Sequence, residues 1–239
     1  MQHSKWATNP IKSNFSSSYC DHGVLDALDN ELEIRHLKSC LVGMGDRIQC
    51  LDLAAGHGRF SEAMLPRAKS IDIVDLEQKH LDFMRARFNN APVHFHLDDA
   101  LNFLTHTSGT YDVIVISGLL LFFDDPQAKR LLEMARTRLN KKGCIFVRDF
   151  ISKQSNVSIP FDLEPTTSLH FRPRKFYDNL GAHSYRICRP HHRFIRAEKI
   201  IFGTLGSRFY KALCSPFLMR ITWLRMPWRN YVFILDKQK

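Results

Sequence analysis

Three carboxylates fall at nearly even steps through the first half of this 239-residue chain, Asp52, Asp75 and Asp99, each at or near the end of a short apolar run. Just past the first stands "CLDLAAGHGRF" (50–60), an apolar stretch running into small residues, two glycines one residue apart and an arginine. Such a turn lets backbone approach a ligand closely at a strand tip. A triphosphate loop would need a Lys-Ser/Thr pair, and Gly58 is followed instead by Arg59 and Phe60. The dinucleotide fingerprint would need a third glycine, and Ser61 occupies that place.

The spacing suggests what the turn holds. Asp75 lies 19 residues beyond Gly56, the distance that suits a carboxylate accepting both hydroxyls of a ribose. Asp99 and Ala100 follow the next apolar run, where an acid could accept from an adenine amino group. Arg59, at the start of a helical stretch, can pair bidentately with an amino-acid carboxylate. Taken singly, each acid suits a helix cap equally well. Jointly they suit a cofactor with hydroxyls, an amino group, a cation and no phosphate, which is S-adenosylmethionine.

The elements that must position these residues are legible from periodicity. Residues 25–41 have helical spacing, "GMGD" breaks it, and strands are expected at 48–53, "SIDIVDL", "APVHFHL", "YDVIVISG" and "CIFVRDFI". Helical stretches separate them, so the pattern predicts βαβ units around a mostly parallel sheet. Residues 152–172 read as loop; "RPRKFYDNLGA" reads as a helix closed by Gly181, then "HSYRICR" and "NYVFILD" as strands. We divide the chain into an N-terminal helical segment over the cofactor site (1–45), a cofactor-binding core (46–151) and a substrate-side region (152–239).

"CLDLAAGHGRF", "IDIVDLE", "HLDDAL", "YDVIVISGLLLFF" and "LNKKGCIFVRDF" resemble, in order and spacing, the successive motifs of the class I (Rossmann-like) S-adenosylmethionine-dependent methyltransferases. The resemblance covers about residues 45–151. It implies an α/β fold with a seven-stranded, mostly parallel sheet in the order 3-2-1-4-5-7-6, the seventh strand antiparallel, and helices on both faces. It also implies that Asp52, Ala54, Gly56, Gly58 and Arg59 border the methionine moiety. Asp75 and Leu76 would bind ribose and adenine, Asp99 and Ala100 the adenine edge, and Ser117 and Gly118 would lie near the sulfonium.

For the acceptor, "LFFDDPQAKRLLEMARTRLNKKGCIFVRDF" followed by "LHFRPRKFYDNLGA" is similar to bacterial methyltransferases of small metabolites and surface glycans. "GHGRF", "YDVIVI" and "VRDF" are similar to protein α-N-terminal methyltransferases, but Phe122 and Phe150 replace that group's histidine and asparagine. The expected activity is methyl transfer to an oxygen or nitrogen of a small metabolite or glycan. The alternatives are methylation of protein or RNA, and a methyltransferase-like binding protein without catalysis. Asp149 and His170 are the candidate general bases. Arg172 is the candidate for an acidic substrate group, ahead of Arg148, which precedes Asp149 on the opposite pleat face. His94 and His96 share a strand face without a third ligand in reach, so no metal site is expected.

Six cysteines form no CxxC pair and read as reduced packing residues of a cytoplasmic protein. The N-terminus has no apolar signal core, and no window approaches a spanning helix. The net charge of +10 is concentrated late: ten Lys and Arg between residues 186 and 229 face only Glu198. That basic, aromatic-rich segment is either a lid whose arginine stems cover the sheet or a surface for anionic lipid, peripheral to a membrane. No nucleic-acid module is recognisable in it. If it meets lipid, vesicles with anionic headgroups should co-sediment the protein at low salt and release it as salt rises. Replacing Arg220, Arg225 and Arg229 with Gln should then weaken that binding. For a packed lid, sedimentation is absent at every salt concentration and the same substitutions lower thermal stability.

Overall fold

Val, Ile and Leu crowd the runs read as strands, and in the computed structural model, which describes residues 24–152, 155–161, 164–187 and 229–237, they pair into one twisted sheet. Its centre consists of β1 (Ile48–Leu53), β2 (Ala68–Asp75), β3 (Val93–Leu97), β4 (Tyr111–Ser117) and β5 (Leu139–Ser152) in the order β3-β2-β1-β4-β5, all parallel. β9 (Arg229–Asp236) runs antiparallel beside β5, and β8 (His183–Ile187) pairs antiparallel with β9. The path β3-β2-β1-β4-β5-β9-β8 is therefore the expected 3-2-1-4-5-7-6 order with an antiparallel last strand.

Burial on both faces explains why β1, β4 and β5 are apolar runs rather than alternating ones. Ile145 and Val147 point to one side, where Leu131 and Leu132 of α5 (Asp125–Thr137) cover them. Cys144 and Phe146 point to the other, towards Leu37 and Leu41 of α1 (Val24–Leu41) and Phe60 of α2 (Arg59–Met64). α3 (Gln78–Arg87) and α4 (Ala100–His106) complete the crossovers. α5 begins with a capping box between Asp124 and Gln127 and with proline in its first turn, which fixes where the β4 loop ends.

One expectation fails. The described part of residues 152–172 is not loop: it holds the hairpin β6 (Val157–Phe161) and β7 (Glu164–Pro173), the latter running into α6 (Arg174–Asp178). Apolar Val157, Ile159, Leu169 and Phe171 alternate with Ser158 and His170, the period of a half-buried strand. Pro160 and Pro165 hid that period, because proline usually marks a break. The hairpin joins the sheet only through Ile151–Arg172 and Ser152–Pro173, at the C-terminal end of β5. Its apolar face packs on Leu121, Phe122 and Phe150. Residues 188–228, most of the basic segment, lie outside the described residues, and with them its proposed lipid contact. Among the described residues no helix is long and apolar enough to cross a membrane.

The glycine turn makes a testable distinction. Gly56 and Gly58 both have left-handed backbone, φ 57° and 73°. A Cβ on Gly56 would meet open space, whereas one on Gly58 would lie 2.7 Å from Met84 Sδ and 2.9 Å from Phe88 Cε2. Gly58 is thus constrained by packing against the α3 region as well as by φ. Gly58→Ala should cost about 2–3 kcal/mol of stability and Gly56→Ala about 1 kcal/mol, since the second carries only the left-handed strain. Urea denaturation of the two variants should show that order.

Candidate functional site

The C-terminal ends of the parallel strands gather the polar residues, as an open α/β sheet does at its switch point. Asp75 closes β2 and is 6% exposed. Its Oδ2 accepts from the backbone N of Gly56 at 2.8 Å, so it reaches across to the glycine turn. Its Oδ1 accepts from Glu77 N at 2.9 Å and lies 3.1 Å from His80 Nδ1. Beside it Leu76 is 65% exposed, a large apolar side chain standing at a strand tip. His57, between the two glycines, packs its ring against His80 and Phe83, with Nε2 buried and unbonded by any described group. Burial lowers its pKa, which keeps the ring neutral.

Asp52 is turned into the protein. It is 1% exposed and accepts from Ser61 Oγ at 2.6 Å. Ser61, the residue that denies the dinucleotide reading, thereby fastens α2 to β1. Burial pushes the Asp52 carboxyl up to about 7 against the opposing pull of Ser61 and Arg59. Asp99 caps α4: its Oδ1 accepts from Leu101 N at 2.8 Å and Asn102 N at 3.1 Å. Its Oδ2 accepts from no described group. Ala100 follows it, buried, and Ala54 takes a left-handed φ of 55° in the turn.

Arg59 is where sequence reasoning missed a residue. Its Nη2 lies 2.5 Å from Glu33 Oε2 and 3.4 Å from Ser117 Oγ, and its Nη1 donates to Asn30 Oδ1 at 2.8 Å. Glu33 also accepts from Arg148 Nε at 2.9 Å. One acid of α1, 1% exposed, therefore holds two guanidinium groups from two other elements. The signal was present: Glu33 shares a helix face with Leu37 and Leu41, and a charge on a buried stripe demands a partner.

The expected catalytic residues are placed differently. Asp149 is 1% exposed; Oδ2 accepts from the hydroxyl of buried Tyr177 and Oδ1 from Phe150 N at 2.9 Å. Burial raises its carboxyl to about 6. His170 bonds across the hairpin to Ser158 Oγ at 2.8 Å, with no hydrogen bond to Asp149. Arg172 corrects the reading made for it. It is 1% exposed, its Nε donates to Asp125 at 2.7 Å, and its η-nitrogens donate to the carbonyls of Leu120 and Phe123. It clasps the hairpin to the β4–α5 connection, with its donors spent on protein groups. His96, half of the pair weighed as metal ligands, lies 3.0 Å from Asp72 and packs on Phe103.

Residues 50–143 match the family model described as a methyltransferase domain. Solved structures share the fold. NodS, an N-methyltransferase of Bradyrhizobium japonicum WM9 with S-adenosylhomocysteine, is 12% identical, with TM-score 0.58 over 95% of this chain and 94% of that one. The Burkholderia thailandensis 1,6-didemethyltoxoflavin-N1-methyltransferase is 14% identical, with TM-score 0.58 over 92% and 80%. Coclaurine N-methyltransferase is 15% identical, with TM-score 0.61 over 87% and 72%. No curated protein matches the chain in sequence. Residues 50–143 thus carry a methyltransferase domain, and the chain has the Rossmann-like α/β fold of class I methyltransferases. Such a domain implies S-adenosylmethionine as the methyl donor.

The two buried carboxyls make stability pH-dependent. The folded chain holds protons on Asp52 and Asp149 that the unfolded chain releases near its ordinary carboxylate pKa of about 4. Their contribution is complete below that value and is lost as pH rises through about 6 for Asp149 and about 7 for Asp52. Asp52→Asn, which can still accept from Ser61, should gain stability relative to wild type between pH 5 and pH 8, measured as the difference in urea midpoints. A constant difference across that range would mean that Asp52 is already ionised at pH 5.

Proposed function

We propose that this methyltransferase acts on a nitrogen or oxygen of a small-molecule or glycan acceptor, with nitrogen favoured. The observation that carries the cofactor half is the Asp75 carboxylate bonded across the turn to Gly56 N at 2.8 Å. It fixes an acid beside a backbone that has open space where a Gly56 side chain would point. In this reading Asp75 accepts from the two ribose hydroxyls, and Leu76 gives its exposed face to the adenine. Asp99 Oδ2 accepts from the adenine amino group beside Ala100. The backbone of Ala54, Gly56 and Gly58 borders the methionine end, Arg59 pairs with its carboxylate, and Ser117 lies near the sulfonium.

S-adenosylmethionine, when bound, supplies an electrophilic methyl group on sulfur. What the chain contributes is chiefly placement, since an in-line displacement gains most from holding its partners aligned. The acceptor's lone pair forms the new bond to carbon as the carbon–sulfur bond breaks, and the proton on the acceptor atom must then leave. Asp149 is buried and held by Tyr177, which favours an acceptor whose lone pair is already free over a hydroxyl that needs a base. A neutral amine meets that condition. His170 remains the candidate to receive a proton, being only partly buried on the hairpin. The structural neighbours named above include N-methyltransferases of small molecules, which supports the same reading.

Asp75→Ala tests the cofactor half. Losing a carboxylate that holds two hydroxyls should weaken S-adenosylhomocysteine about tenfold or more by calorimetry. The variant's circular dichroism should stay native. Unchanged affinity would remove Asp75 from the ribose site.

A further inference from the structure

We propose, resting on the methyltransferase reading above, that Arg148 binds an oxyanion of the acceptor, so that the substrate class is an apolar or aromatic molecule bearing a carboxylate or similar anion. The glycine turn and Arg59 follow β1, Ser117 and Gly118 close β4, and Arg148 lies on β5, paired in register with Ser117. With the cofactor over β1 and β2, the acceptor must come from the β4–β5 side. Arg148 stands there.

The arginine is built in. Its Nε is fixed by Glu33 at 2.9 Å, its guanidinium carbon lies 4.2 Å over the Phe150 ring, and the side chain is 13% exposed. Its two η-nitrogens donate to no described residue. That is the edge of a guanidinium that grips a carboxylate with two parallel bonds. A Cβ placed on Gly118 would come 3.9 Å from Nη1, so the absence of a side chain there keeps that edge clear. Glu33 is shared between Arg59 and Arg148, so one acid faces two guanidinium groups. Asp149 is not a second such acid, since it points to the other pleat face, onto Tyr177.

Next to the arginine lies an apolar wall. Phe150 packs with Phe122, Leu121, Leu169 and Phe171 where the β6–β7 hairpin meets the strand ends. A cation beside a ring-lined wall selects a ligand with an anionic end and an apolar body. It disfavours cationic acceptors such as a protein α-amine, whose ammonium would face Arg148. This reverses the order in which sequence alone ranked the two arginines, because the donors of Arg172 are spent on protein groups, whereas the η-nitrogens of Arg148 meet no described residue.

The test uses full-length protein saturated with S-adenosylhomocysteine, with benzoate, benzamide and benzylamine as probes followed by calorimetry. Benzoate should bind about tenfold more tightly than benzamide, and benzylamine least, because only the anion gains charge-assisted hydrogen bonds. Arg148→Gln should remove the benzoate preference and Arg148→Lys should keep part of it. Equal binding of benzoate and benzamide to the wild type would overturn the proposal, whatever the variants do. So would a benzoate preference that survives Arg148→Gln, or a loss of S-adenosylhomocysteine affinity in that variant, which would assign Arg148 to the cofactor. Failure of the wild type to bind S-adenosylhomocysteine would instead strike the cofactor reading, and it registers before any probe is added.

Discussion

The polar end of this sheet depends on one buried carboxylate. Removing an acid from water costs several kcal/mol unless charge and hydrogen bonds replace the solvent. Glu33 meets that cost with two guanidinium groups, Arg59 at 2.5 Å and Arg148 at 2.9 Å. The bond is structural for all three partners at once. Shifting α1 would leave a helix-borne acid uncompensated and two arginines, from α2 and β5, facing each other with no anion between them. The helix therefore serves as a clamp on the strand tips, and its register sets where both cations point.

A second constraint acts one layer deeper. The turn after β1 must reverse the chain with three left-handed residues, Ala54, Gly56 and Gly58. Left alone, such a turn is strained and mobile. It is held from below by Ser61 on Asp52, from beside by Asp75 on Gly56 N, and by Met84 and Phe88 against Gly58. Only Gly56 looks onto open space. The sequence motif thus mixes two kinds of glycine, one shaped by its protein neighbours and one by room for a ligand.

Periodicity made most of the fold legible. β1 to β5 and their crossovers appear as apolar runs and amphipathic stretches, and the antiparallel β9 follows from the resemblance of the motif set. The hairpin was not legible, because Pro160 and Pro165 interrupt an alternation that only Val157, Ile159, Leu169 and Phe171 carry. At the site, the positions of Asp75 and the glycines could be inferred from spacing. Side-chain direction could not. Asp52, Asp149 and Arg172 sit near strand tips, where ligands bind, yet each turns inward to a protein partner: Ser61 nine residues on for Asp52, and Tyr177 and the Leu120–Asp125 connection, far along the chain, for the other two. No local pattern encodes those pairings.

That inward turning divides labour between the two arginines near the acceptor side. Arg172 spends its donors on carbonyls and Asp125, and so ties the hairpin to the loop after β4. In doing so it sets the position of Phe171 and Leu169, which share a cluster with Phe150. Phe150 in turn supports the guanidinium of Arg148. A fully buried cation thus fixes the apolar wall, and the wall holds a second cation whose remaining edge meets no described residue. Specificity for an anionic, apolar acceptor would then arise from the hairpin and α1 together, the two additions that the central five-stranded sheet does not itself provide.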